Sequence, residues 1–168
     1  VIKAFDGCGY DYEIVFVNDG SKDATLHNLK KLHAAHKCPT KIISFSRNFG
    51  KEAAMLAGLK AAKGDLVCII DADLQQRPEI VLDMLSEMEK DPQLECVAAY
   101  QEKRNEGKFI SFLKSSFYKL INKMSDVRFV NGASDFRLMK RQMVDAIISL
   151  TEYHRFTKGI FGYVGFRT

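Results

Sequence analysis

Two carboxylates and a carboxamide stand at alternate positions in Asp71-Ala72-Asp73-Leu74-Gln75, directly after the apolar run Asp65 to Ile70 (DLVCII). A short run of that kind has the length of a buried parallel strand, and the loop after it is where reactive groups are usually displayed. If the chain stays extended, positions 71, 73 and 75 converge on one side. Hard oxygen ligands of this kind suit Mg2+ or Mn2+, and such an ion bridges the two phosphates of a nucleoside diphosphate. The competing reading is an acidic, helix-capping turn ahead of Pro78.

Other chemistries are less well served. Phosphatases of the haloacid dehalogenase type also open with a strand and DxD, but they need Thr or Val where this chain has Gln75. No GxGxxG follows a strand and no Gly-Lys-Ser/Thr loop is present, which disfavours dinucleotide binding and P-loop chemistry. The four cysteines, Cys8, Cys38, Cys68 and Cys96, form no CxxC pair. They therefore suggest neither zinc nor a disulfide framework, and Cys68 reads as a small core hydrophobe.

Charge is divided along the chain. Residues 1 to 100 carry 12 Lys+Arg against 15 Asp+Glu, a balance of −3, and residues 101 to 168 carry 13 against 6, a balance of +7. An acidic half suits a metal site, and a basic half suits a phosphate-bearing partner such as nucleic acid, an anionic membrane or a phospholipid. Chance scatter of solvated lysines is the plain alternative.

The elements that must position these groups follow from hydrophobic pattern. Tyr12 to Asn18 (YEIVFVN) reads as a strand ending at the turn Asp19-Gly20-Ser21, and Leu26, Leu29 and Leu32 then keep helical spacing. Lys41 to Ser46 repeats the strand signal. Glu52 to Ala62 is an Ala- and Leu-rich helix that Gly64 is expected to stop. Pro78 opens a further helix with Ile80, Val81, Met84, Leu85 and Met88 on its buried face, and Cys96 to Tyr100 makes a fourth strand. Strands alternating with helices over 168 residues predict one α/β domain with a mainly parallel sheet. Asp19, Arg47 and Asp71 all fall at carboxyl ends of strands, where such sheets bind ligands. Gly107 to Met124 reads as a helix whose apolar positions are set among Lys108, Lys114, Lys119 and Lys123. It either covers the core or lies on an anionic bilayer surface.

Six segments in order then carry a resemblance: VNDGSKD (17–23), SRNFGK (46–51), AAKGD (61–65), DADLQ (71–75) with Pro78, GASDFRLM (132–139) and RFTKG (155–159). Together they resemble family 2 of the inverting glycosyltransferases, and the last two look like its branch that glycosylates polyprenyl phosphates, the dolichyl-phosphate mannose synthase and bactoprenol glucosyltransferase group. The resemblance implies a nucleotide-diphospho-sugar transferase fold of GT-A, Rossmann-like type. It implies that Asp19, with Gly20 and Ser21, meets the nucleobase, that Arg47 and Lys51 help hold the nucleoside, and that Asp71, Asp73 and Gln75 hold donor phosphates through Mg2+ or Mn2+. Asp135 matches the acceptor-side carboxylate, with Arg137 as a basic partner. Arg155 and Lys158 would face diphosphate or acceptor phosphate. Read on residue chemistry alone, Asp19 also fits a simple Asx-turn and Arg155 a surface charge.

The implied partners are a nucleotide-sugar donor, a polyprenyl phosphate acceptor and an anionic membrane surface rather than nucleic acid, at the cytoplasmic face of the cell membrane. Processive polysaccharide synthases are disfavoured because their Gln-x-x-Arg-Trp motif needs a tryptophan and this chain has none. Transfer to a sugar hydroxyl, and a non-catalytic binding module, stand as rival readings. Two departures matter. Where the branch has Gly-Val-Arg, this chain has Ala99-Tyr100-Gln101-Glu102-Lys103-Arg104, leaving Lys103 or Arg104 as acceptor-phosphate cations. The chain also reads as lacking the family's first strand and its C-terminal membrane helices. That omission predicts an unpaired sheet edge, weakened donor binding, or pairing with a second copy.

Overall fold

A computed structural model describes residues 1–5, 7–35, 38–100, 133–150 and 157–168. Backbone packing divides the chain into two compact units, Val1–Val67 with Lys140–Glu152 and Cys68–Met139 with Tyr153–Thr168.

In the first unit, a one-turn helix α1 (Ile2–Phe5) precedes β1 (Ile14–Asn18), whose Ile-Val-Phe-Val run favours a half-buried pleated surface. Helix α2 (Thr25–Ala35) returns the chain to β2 (Thr40–Ser44), which pairs parallel with β1 from Ile14↔Thr40 to Asn18↔Ser44. Helix α3 (Lys51–Ala61) packs on β1, where a side chain at Gly58 would stand 3.4 Å from a Val17 methyl. Among the described residues β2 is the one strand paired with β1.

Gly64 does not end α3. The helix stops at Ala62, which is extended at φ −68° and ψ 138° while its N–H still bonds Gly58 O. Side-chain cations hold the freed carbonyls instead: Lys41 Nζ donates to Ala61 O at 2.7 Å, and Arg141 donates to Ala62 O at 3.1 Å and to Gly64 O. Cations there also complement the negative end of the helix dipole. Arg141 begins α5 (Arg141–Ser149), which packs on α3 and buries Met143, Val144 and Ile147.

Lys41 is held in turn by Glu13, 2.7 Å away, and Glu13 Oε1 accepts the Lys63 N–H at 2.5 Å. The Lys41 bond above all holds the Glu13 carboxyl below its ordinary range; burial opposes it, and the Lys63 N–H adds a smaller lowering. A carboxyl lowered on folding stabilises above its unfolded value of about 4.3, and the contribution fades as pH falls through the lower folded value. Glu13→Gln is therefore expected to lower the thermal midpoint at neutral pH. The difference from the parent should shrink as pH falls below the unfolded value of about 4.3 and vanish once pH is below the lowered folded one, in a melting series across pH.

Strand β3 (Leu66–Ile69) leads into the second unit. Three successive i→i−3 bonds, from Ile80, Val81 and Leu82 to Arg77, Pro78 and Glu79, wind the chain into α4 (Ile80–Lys90), so the proline sits where its missing donor is not needed. Val81, Met84, Leu85 and Met88 are the buried residues of α4, which packs on β4 (Cys96–Tyr100). Strand β5 (Ala133–Lys140) pairs antiparallel with β4, from Cys96↔Met139 through a bulge after Ala98, and the sheet order is β3-β5-β4. As the middle strand, β5 is buried on both faces, with Phe136, Arg137, Leu138 and Met139 each at most 4% exposed. Helix α6 (Thr157–Tyr163) buries Ile160 and Phe161. The mixed α/β architecture with a parallel β1-β2 pair is the class the sequence predicts.

Candidate functional site

In the first unit the carboxyl end of β1 is fastened to the loop after β2. Asn18, 4% exposed, donates from Nδ2 to Ser44 Oγ at 3.0 Å and accepts the Ser21 N–H on Oδ1 at 3.1 Å, closing the turn through Gly20. Asp19 then accepts two backbone donors from the neighbouring loop, Phe49 N–H on Oδ1 at 2.7 Å and Gly50 N–H on Oδ2 at 2.9 Å. Gly20 has φ +69°, and an added Cβ would fall 2.3 Å from Arg47 C and 2.6 Å from Asn48 N. Only a glycine permits two backbones to approach this closely in that conformation. Asp19, Gly20, Ser21 and Arg47 thus form one cluster, and Lys51 opens α3 directly after it. The Arg47 guanidinium lies over the Phe49 ring at 4.9 Å, and Phe45 meets that ring edge-on at 5.5 Å. Phe49 is 52% exposed, so the cluster shows solvent an aromatic face beside a cation and a carboxylate.

In the second unit the segment after β3 is a turn, not the extended run that would converge residues 71, 73 and 75. Gln75 N–H bonds Asp73 Oδ1 at 3.0 Å, and Leu74 takes the left-handed conformation at φ 64° with its side chain 94% exposed. The physical reason is local, because an Asp side chain that captures the N–H two residues on folds its own backbone into an Asx-turn. Gln76, which sequence reasoning passed over, closes the turn by accepting Asp71 N–H at 2.8 Å and donating to Asp71 Oδ2 at 3.2 Å. Asp73 and Gln75 are exposed and Asp71 is half-buried.

Among the described residues no three His, Cys, Asp or Glu side chains gather into a protein-only metal cage. Two carboxylates on one turn, Asp71 half-buried and Asp73 exposed, nevertheless match the sparse protein share of a Mg2+ or Mn2+ site, in which substrate phosphates and water complete the shell. Asp71 and Asp73 fit such an ion.

On β5, Ser134 Oγ accepts Phe136 N–H at 3.1 Å and Ser134 O accepts from Arg137 Nη2 at 2.9 Å. Asp135 is half-buried and Arg137 is 4% exposed. Burial pulls the guanidinium below its ordinary range, and Cys96 and Asp135 pull it back. An arginine stays charged regardless. Burial likewise raises the Cys96 thiol and pushes Cys68 up to about 12, so both are neutral. Lys103, Arg104, the 107–124 segment and Arg155 lie outside the described residues. Lys158 is the second residue of α6, and its side chain lies outside them too.

Residues 1–148 match the family profile described as Glycosyl transferase family 2. A Bacillus subtilis chain named as the glycosyltransferase CsbB is 44% identical over 164 residues, covering 98% of this chain and 49% of its own length. The bactoprenol glucosyl transferase of Shigella phage SfV is 39% identical over 159 residues, covering 95% of this chain and 51% of its own. This chain therefore spans about half the length of the curated relatives it matches. Among solved structures, a mannosyltransferase from Pyrobaculum calidifontis in complex with GDP-Man and Mn2+ superposes with a TM-score of 0.61 at 19% identity, over 92% of this chain and 44% of its own. That likeness shows a shared fold, the GT-A type.

Proposed function

Since the chain belongs to glycosyl transferase family 2, we propose that it is the catalytic region of a glycosyltransferase that moves a hexose, with UDP-glucose the favoured donor, to a polyprenyl phosphate with inversion. The observation that carries this reading is the 39% identity to a bactoprenol glucosyl transferase across 95% of the chain. Two geometric features support it. Asp19 and the 47–50 loop form a rigid polar cluster with an exposed aromatic ring, suited to a nucleoside, and the 71–76 turn offers two carboxylates directly after a sheet strand.

Chemical roles follow from charge. Asp71 and Asp73, with Gln75 beside them, would hold a divalent ion, which would supply positive charge for the leaving nucleoside diphosphate. Asp19, Gly20, Ser21, Arg47 and Lys51 bind and orient the nucleoside. The acceptor, a phosphate monoester with a second pKa near about 6, is largely ionised at neutral pH and needs no strong general base. Asp135 therefore orients sugar or acceptor rather than removing a proton, and Arg155 and Lys158 add positive charge on the phosphate side. The basic segment 107–124 brings this region to the anionic cytoplasmic face of a membrane. No helix among the described residues is long and apolar enough to cross one.

The test uses the full-length protein with radiolabelled UDP-glucose or GDP-mannose, undecaprenyl phosphate, and Mn2+ or Mg2+. Metal-dependent appearance of label in the lipid, with the anomeric configuration reversed, is the expected result. Transfer to a sugar hydroxyl and never to the lipid phosphate would overturn the acceptor assignment.

A further inference from the structure

Arg137 lies on the same face of β5 as Asp135, since residues two apart on a strand share a face. Unlike a cation that meets a substrate, it is enclosed. It is 4% exposed, its guanidinium carbon stands 3.6 Å from the centre of the Phe161 ring, and Nη2 is spent on Ser134 O at 2.9 Å. Nε is buried and makes no hydrogen bond among the described residues. For this guanidinium to grip a phosphate it would have to leave the ring.

A buried cation is costly, and packed apolar residues in place of a whole ion pair often serve stability as well. The planar guanidinium does something such residues cannot. It stacks on a ring through its face while donating through its edge, so it fixes one element against another in position and in angle. We infer that Arg137 is a positioning residue: through Phe161 it ties α6, which opens at Thr157 and Lys158, to β5, which carries Asp135, so that both acceptor-side segments share one anchor. The assignment of those segments to the acceptor rests on the proposed function. The tether itself rests on the geometry.

Arg137→Met, Arg137→Lys and Phe161→Leu in the full-length protein test it, each measured for thermal midpoint, for KM of donor and of polyprenyl phosphate, for kcat, and for amide hydrogen exchange across 157–163. Arg137→Met and Phe161→Leu are each expected to lower kcat/KM for the acceptor by about tenfold or more, with donor KM changed less than about twofold. Arg137→Met also strips Asp135 of its neighbouring cation and so should melt lower, whereas Phe161→Leu keeps both charges, and the same acceptor loss there separates positioning from charge. Arg137→Lys keeps the charge but loses the planar fork, and it should not rescue acceptor use. The double variant should be no worse than the poorer single one, because both break one contact. Amides of 157–163 should exchange about tenfold faster in each variant. Additive losses, unchanged exchange in 157–163, or an Arg137→Met enzyme with parental acceptor kcat/KM would overturn the tether. If the parent itself labels no polyprenyl phosphate, the acceptor assignment falls and the exchange measurement still decides the tether.

Discussion

Gly20→Ala should unfold the loop at the end of β1 and cut nucleotide affinity by about a hundredfold or more. The added methyl would fall 2.3 Å, 2.6 Å and 2.7 Å from Arg47 C, Asn48 N and Arg47 Cα, all backbone atoms that cannot turn aside. The residue is also held at φ +69°, where an L side chain costs about 1–2 kcal/mol before any clash. Relief requires the 47–50 loop to withdraw, and withdrawal breaks both N–H bonds to the Asp19 carboxylate. Bonds to a charged acceptor contribute about 1.5–3 kcal/mol each, so the loss should reach several kcal/mol. Gly50→Ala is the matched control: at φ +93° it is also strained, but no atom lies within 4 Å of its added carbon, so its effect should be the smaller. Thermal unfolding and calorimetry with UDP read both variants, and a Gly20→Ala protein as stable as the parent would refute the close approach.

Asp73→Asn is expected to lower sugar transfer by about 10²–10³-fold while leaving the fold intact, the scale set by losing one preorganised charge-stabilising contact. Asp73 is exposed, and its one described bond accepts the Gln75 N–H on an oxygen that asparagine keeps. Asparagine also supports the same Asx-turn. What the substitution removes is half a negative charge from each of two oxygens, so the loss should appear as a higher Mn2+ requirement in a metal titration. Asp71→Asn should cost at least as much, because the Gln76 amide at 3.2 Å claims the one oxygen asparagine keeps and leaves an NH2 group that cannot ligate a cation. An Asp73→Asn enzyme with parental turnover and an unshifted metal titration would remove the carboxylate pair from the metal's shell.

The pattern of apolar residues made most of this fold readable in advance. β1, β3 and β4 are short apolar runs, and the buried face of α4 follows the predicted 3.6-residue period through Val81, Met84, Leu85 and Met88. β5 was not legible as a strand because Asp135 and Arg137 interrupt it. Its alternating Asp135-Phe136-Arg137-Leu138 would set a polar face in water, whereas Arg137 is 4% exposed and held by Phe161 and Ser134, contacts that periodicity does not show. The turn after β3 failed for the opposite reason. Its outcome is decided by which of two adjacent glutamines reaches back to Asp71, a matter of side-chain geometry that spacing does not encode. At Asp19 the residue was legible and its bonds were not, since the donors come from Phe49 and Gly50, about thirty positions on.

The first unit is assembled from two stretches of chain, and its seam is the bond from Arg141 to Gly64 across 77 positions. During synthesis at roughly 5–20 residues per second, the ribosome needs about 4–15 s to travel that distance. Throughout that interval α3 has emerged without α5, its terminal carbonyls lack the arginine, and the surface that α5 will cover is open to water. The nascent chain therefore spends seconds with a helix end it cannot yet cap and a helix face it cannot yet cover, a window in which a chaperone that shields apolar helix faces has most to offer.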